Sequence, residues 1–274
     1  ELNTLPRYLR CLRLKGNNIS HLSLLPCKNS LQQLDLSCNN LKNIDSISFK
    51  CLVKLKFFDL SSNVIEEVPS SIGKLENLRK LYLDDNMLEM LAPSICLLQK
   101  LNVLNLSENS LTELPPDIGN LGCLRELHVE NNELETLPVE LERVPRLLTL
   151  CLSGNKLVAV PPVIARLPYL RDLLLFNNKI RKLDMSLLAP CHNLVVLGLA
   201  MNRIKVIPAA ISQLESIRIL QLDGNRLTAI PDEMSEITTL KYLSLSNNRI
   251  EYIPDSLSSL SNLVGLLMDG NSLT

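Results

Sequence analysis

The stretch LNVLNLSENSLTELPPDIGNLGC, from Leu101 to Cys123, decides the architecture. Leu104 and Leu106 alternate with Asn105 and Ser107, and that period of two is strand spacing. Asn109 follows where the chain must turn away, and its amide can both donate to and accept from backbone groups that the turn leaves unpaired. Pro115 then suits the first residue of a short helical turn. Ile118 and Leu121 aim one face of that turn back at the strand.

Outward from this unit, the pattern L-x-x-L-x-L-x-x-N-x-L starts at Leu9, Leu31, Leu55, Leu78, Leu101, Leu124, Leu147, Leu170, Leu194, Ile217, Leu240 and Leu263. The first two spacings are 22 and 24 residues, the step from Leu170 to Leu194 is 24, and all others are 23. The ninth position is Asn in every copy, from Asn17 to Asn271. Pro recurs at position 15 as Pro69, Pro115, Pro138, Pro161, Pro208, Pro231 and Pro254, whereas Ser23, Asp45, Ala92 and Asp184 replace it and predict an irregular outer wall there. Leu supplies 63 of the 274 residues, aromatics 3%, and Trp none, so one packing solution is repeated along the chain. A single unit cannot bury its apolar face alone, but a stack of units can. The expected fold is therefore an α/β, right-handed solenoid with a concave parallel β-sheet and short helical or irregular convex segments, forming one domain over 1–274. Stacking also predicts a buried ladder of position-9 Asn side chains. Glu1 to Pro6 read as positions 10 to 15 of an earlier repeat, and Thr274 falls at position 12 of the last one, without polar caps at either end. That pattern is expected of a piece cut from a larger protein.

These motifs resemble the leucine-rich repeat superfamily, and the Leu101–Cys123 unit is similar to its intracellular 23-residue class, as in Ras-pathway scaffolds, Scribble-type polarity proteins and Roco kinases. The resemblance spans the chain and implies a non-catalytic module for protein–protein recognition in a cytoplasmic signalling or scaffold protein. The partner classes it implies are small GTPases, kinases, phosphatases and adaptors. Two alternatives stay open: a receptor ectodomain that binds an extracellular ligand, and a regulatory arm of a multidomain kinase or phosphatase.

Enzyme chemistry finds little support in the sequence. No H-E-x-x-H, G-x-G-x-x-G, G-x-x-x-x-G-K or G-x-S-x-G occurs, so neither a catalytic nor a cofactor-binding residue is expected. His128 between Glu126 and Glu130 could imitate a general base or a metal cluster, but no nucleophile stands beside it in sequence, and a solvated polar face is the plainer reading. The eight cysteines lack C-x-x-C spacing and are expected as free thiols in a reducing compartment, with no metal site. A net charge of −1 argues against a nucleic-acid partner, and no apolar run is long enough for a membrane span.

The charges are nonetheless sorted along the chain. Residues 57–142 hold 5 Lys/Arg against 16 Asp/Glu, and residues 143–227 hold 12 against 4. The repeat frame assigns Asp59, Tyr82, Asp84, Asp85, Glu108, Glu126, His128 and Glu130 to the concave face as one part of a partner site. Leu174, Phe176, Val196, Met201 and Ile219 form its apolar continuation, as either an intermolecular or an intramolecular contact. A second candidate surface is the loop stripe of Lys156, Lys179, Arg181, Lys182, Arg203, Lys205, Arg226 and Arg249. Like charges stacked about 5 Å apart repel, and a partner of opposite sign would relieve that cost.

Overall fold

The computed structural model describes residue 6 and residues 8–22, 30–45 and 47–274. The chain divides into two compact units, Glu1–Arg146 and Leu147–Thr274. In the first unit, strands β1 (Cys11–Arg13), β2 (Gln33–Asp35), β3 (Phe57–Asp59), β4 (Lys80–Tyr82), β5 (Val103–Asn105) and β6 (Glu126–His128) pair in parallel, each with the next. In the second unit, β7 (Thr149–Cys151), β8 (Asp172–Leu174), β9 (Val196–Gly198), β10 (Ile219–Gln221), β11 (Tyr242–Ser244) and β12 (Gly265–Leu267) do the same. Register is kept position for position: Leu81 faces Leu104, and Leu197 faces Leu220. Strands this short suffice because each repeat contributes only positions 3 to 5. Positions 4 and 6 fill the core, as Leu104, Leu106, Leu220 and Leu222 show at 0% exposure.

The Asn ladder is present in both units. Asn86 Nδ2 donates to the carbonyls of Leu83 in its own repeat and Leu60 in the preceding one, at 3.1 and 3.0 Å, while its Oδ1 accepts from Ile65 N–H at 2.9 Å. Asn225 repeats this with Leu222, Leu199 and Ile204. One amide thus satisfies three backbone groups that a turn would otherwise leave buried without partners.

The return segments are mostly five-residue 3-10 turns, such as Ser70–Lys74 and Ala209–Gln213. The position-15 prolines stand one residue earlier than expected. Pro69 and Pro208 are extended, at φ −68° and −70°, and cap the turn rather than open it. Their carbonyls accept the first i+3 bond, from Ile72 and Ile211. The irregularity expected where Pro is missing is only partly found. Ala92 caps an ordinary turn, Pro93–Leu97. Asp184 instead caps α1 (Met185–Leu188), the single α-helix among the described residues, its carboxylate accepting from Ser186 N–H at 3.0 Å. The repeat with Asp45 at this position shifts its turn to Phe49–Cys51, and Ser23 lies outside the described residues.

Eight free thiols are not what the structure contains. Cys51 is disulfide-bonded, whereas Cys11, Cys38, Cys96, Cys123, Cys151 and Cys191 form no disulfide, and Cys27 lies outside the described residues. Spacing along the chain could not reveal this, because a disulfide depends on sulfurs meeting in space. Burial pushes the Cys96 thiol up to about 12, with Asp117 adding to the effect, and Cys191 up to about 11. Both therefore act as small apolar core residues. Among the described residues, no helix is long and apolar enough to cross a membrane.

Candidate recognition surfaces

On the first unit, the outward strand positions bring the expected acids together, but they are not equivalent. Asp59 is turned inward to its own chain, accepting from Ser61 N–H at 3.0 Å and Ser61 Oγ at 2.7 Å. Asp35 binds Ser37 in the same way, so this carboxylate finishes a strand rather than waiting for a partner. Asp84 differs. Its Oδ1 is buried without a hydrogen-bond partner. Burial raises its pKa above the usual carboxylate value; a hydrogen bond from its own backbone opposes this, and nearby Asp59, Asp85 and Glu108 add to the rise. Asp85 and Glu108 are exposed.

Glu126, His128 and Glu130 form a chain of contacts. His128 Nε2 lies 3.8 Å from Glu126 Oε2, and Nδ1 lies 3.7 Å from Glu130 Oε1. The Glu130 carboxylate is the main reason the His128 pKa is raised; burial opposes it, and the charges of Glu130 and Glu126 reinforce it. For Glu130, burial alone would raise the pKa. His128, the 2.6 Å hydrogen bond from Ser107 Oγ and a bond from its own backbone outweigh burial, and the net shift is downward. Tyr82 is half-buried beside these acids, and its pKa is raised by burial first and then by Glu126, Asp59 and Asp84. Its ring meets Phe57 with centroids 5.5 Å apart. Phe57 and Ser107 were not among the expected site residues. Phe57 could have been found from its outward position 3 in β3.

On the second unit, the apolar strand row is largely self-covered. Leu174, Phe176, Val196, Ala200 and Ile219 are half-buried, and only Met201 stands out at 62% exposure. The tip of the Phe176 ring lies over Gly198, where any Cβ would collide with it. The sequence offered Gly198 as the signal, a glycine inside a strand.

Position 8 has a role of its own. In all twelve repeats it adopts positive φ, from Gly16 and Cys38 through to Asn247 and Gly270. Asp85, Glu108 and Met201 therefore sit in a conformation that costs a side-chain-bearing residue roughly 1–2 kcal/mol. The turn sets their backbone, and they project from it in a fixed direction. The Met201 sulfur lies over Gly224, the corresponding residue of the next repeat.

The basic stripe resolves into a pocket. Arg181, Lys182, Arg203, Lys205 and Arg226 line a cavity of about 700 Å³ in the second unit, walled otherwise by Leu183, Val206 and Pro208. Lys156, Lys179 and Arg249 are not part of its wall, and Lys156 is half-buried. Among the described residues, no carboxylate comes within ion-pair distance of the five pocket cations. Sequence reasoning missed the apolar wall because positions 14 and 15, which hold Leu183 and Pro208, read as scaffold.

A ladder-braced stack that holds charged and apolar rows at fixed spacing defines a class of repeat-built recognition solenoids. A family model described as leucine rich repeat matches residues 7–65, 29–88, 76–134, 99–157, 168–227 and 215–273, and the chain belongs to that family. The human volume-regulated anion channel subunit LRRC8A is 36% identical over 93 residues, covering 30% of this chain and 12% of that protein. Human leucine-rich repeat protein 1 is 39% identical over 67 residues, covering 24% and 16%. The matches therefore take in less than a fifth of either relative's length. Among solved structures, the plant peptide hormone receptor RGFR1 in complex with RGF2 aligns with a TM-score of 0.80 at 29% identity, over 97% of this chain and 46% of that one. The Leptospira interrogans LRR protein LIC12759 aligns with a TM-score of 0.68 at 27% identity, over 100% and 87%.

Proposed function

We propose that the chain is a non-catalytic recognition module of the intracellular 23-residue class, serving a signalling or scaffold protein in the cytoplasm. Its partner is a small GTPase, kinase, phosphatase or adaptor that presents a basic surface to the acidic strand face of the first unit. The observation that carries this reading is Asp84, a carboxylate with one oxygen buried and unpartnered among Asp59, Asp85 and Glu108. Clustering these like charges costs the fold, and a basic partner surface facing the exposed Asp85 and Glu108 would relieve that cost. The Phe57–Tyr82 pair beside it supplies aromatic faces suited to Lys or Arg. Six cysteines outside any disulfide among the described residues agree with a reducing compartment.

The test is kinetic. A partner captured from cytosol is passed over the wild-type chain and over the chain with Asp84, Asp85 and Glu130 changed to Lys. The charge-reversed face should slow association and flatten its salt dependence, because surface charge acts mainly on encounter. Unchanged association by the reversed variant removes this face as the site.

A second reading, a receptor ectodomain, is favoured by the Cys51 disulfide and by the likeness to a peptide hormone receptor. Thiol titration of the unfolded, unreduced protein from its native source separates the two. Eight thiols favour the cytoplasm; six favour an oxidising compartment.

A further inference from the structure

We propose that the pocket of the second unit receives a phosphorylated segment of a protein partner. This uses a different surface from the acidic face and is tested apart from it. Arg181, Lys182, Arg203, Lys205 and Arg226 converge on one cavity, and no described carboxylate pairs with any of them. Five clustered cations repel one another, and nothing in the repeat requires them. Positions 12 and 13, which hold Arg181, Lys182 and Lys205 here, carry Glu66, Glu67, Glu89 and Glu113 in the first unit, and position 10, which holds Arg203 and Arg226, carries Val64, Met87 and Ser110 there.

The ligand chemistry follows from the wall. Three of the five cations are Arg, whose planar fork matches phosphate oxygens two at a time. A phosphoryl group carries about −1.5 to −2 charge and three acceptor oxygens, so it answers several cations at once where a carboxylate answers one. Leu183, Val206 and Pro208 give the same cavity an apolar side, with Val206 67% exposed, and an apolar residue next to the phosphate would rest there. A nucleic acid strand fits less well, because no aromatic side chain lines the cavity for a base to stack on. A flat membrane surface would not reach into a cavity.

The experiment uses the 274-residue chain and an array of random short peptides, each synthesised once with a central phosphoserine and once with serine. The best pairs are then measured in solution by fluorescence polarisation. The phosphorylated member should bind at least about tenfold more tightly, a difference of about 1.4 kcal/mol. Arg203→Glu with Arg226→Glu should abolish that preference. Arg203→Lys with Arg226→Lys keeps the charge but loses the fork, and should weaken binding several-fold. Arg218→Glu, an exposed cation outside the cavity, should change nothing, and neither should the triple Lys variant of the acidic face. Thermal melts establish that each variant is folded; should the Glu pair unfold, the Lys pair and the phosphoserine preference decide. Equal binding of phosphorylated and plain peptides overturns the proposal. So does tighter binding to oligo(dT) or to phosphatidylserine vesicles than to the best phosphopeptide, or full phosphopeptide binding by the folded Glu pair.

Discussion

Positions 10, 12 and 13 of the repeat carry Glu66, Glu67, Glu89, Glu113, Glu133 and Glu135 in the first unit, and Lys179, Arg181, Lys182, Arg203, Lys205 and Arg226 in the second. The backbone beneath them is the same. The position-9 Asn makes the same three bonds in Asn86 and Asn225, and the 3-10 turns take the same proline cap at Pro69 and Pro208. Leucine-rich repeats thus separate two tasks that most domains mix. A fixed subset of positions holds the fold, and the remaining positions take either sign of charge without disturbing it. Net charge over the whole chain hides this division; charge read by repeat position exposes it.

If the scaffold is indifferent to surface charge, removing a ladder amide should cost the same in both units. Asn132 is bonded to the carbonyls of Leu106 and Val129 and to Leu111 N–H, and Asn225 makes the matching set. Replacing either with Ala strands three buried backbone groups, each at about 1–3 kcal/mol, for a total of roughly 3 kcal/mol or more. Urea midpoints measured on Asn132→Ala and Asn225→Ala should fall together. A large loss in one unit and none in the other would break the equivalence.

That equivalence was legible in the sequence because twelve aligned copies overdetermine each scaffold position. The strand register, the core at positions 4 and 6, the Asn ladder and the sorting of charge all follow from the repeat. What the sequence hid depends on contacts and backbone angles that the repeat pattern does not encode. Phe176 reads as an exposed apolar anchor until Gly198 is seen beneath it. Asp59 reads as a free acid until Ser61 is seen bonded to it. Position 8 reads as a partner-facing row, yet its positive φ serves the turn in every repeat. The disulfide at Cys51 has no spacing signature of any kind.

Phe176 turns this lesson into a measurement. A half-buried ring on Gly198 should cost less than the 3–5 kcal/mol of a fully buried Phe, so Phe176→Ala should destabilise by about 2 kcal/mol without any partner present. Gly198→Ala should also destabilise, because the new Cβ displaces the ring. No change in the melting of either variant would return Phe176 to the role of a purely outward anchor.

Met201 sharpens the comparison between frame and cargo. It occupies the turn position at φ +57°, where Gly16, Gly154, Gly224 and Gly270 serve in other repeats. Met201→Gly relieves the left-handed penalty and forfeits the contact over Gly224, so a net gain of up to about 1 kcal/mol is expected. A more stable variant with weaker partner binding would mark Met201 as kept for recognition at the expense of the fold. Lower stability would show that its packing on Gly224 outweighs the strain.

The smallest effect expected is a pH dependence confined to the first unit. Glu130 raises the pKa of His128, and His128 helps to lower that of Glu130, so their attraction stabilises the folded chain only while both are charged. For His128, whose folded value is raised, the contribution is fully present below the unfolded value of 6.5 and fades as pH climbs through the folded value. For Glu130, whose folded value is lowered, it is present above the unfolded value of 4.5 and fades as pH drops through the folded one. The interaction is therefore at full strength between those two unfolded values. His128→Gln should lower the urea midpoint slightly near pH 5.5 and by less near pH 8, because partial exposure of both groups lets solvent screen the pair. The second unit offers the control. Arg203→Gln, in the pocket of that unit, should have the same effect on stability at both pH values. A His128→Gln cost that grows toward pH 8 would mean that the neutral imidazole, packed among Glu126, Glu130 and its strand neighbours, matters more than its charge.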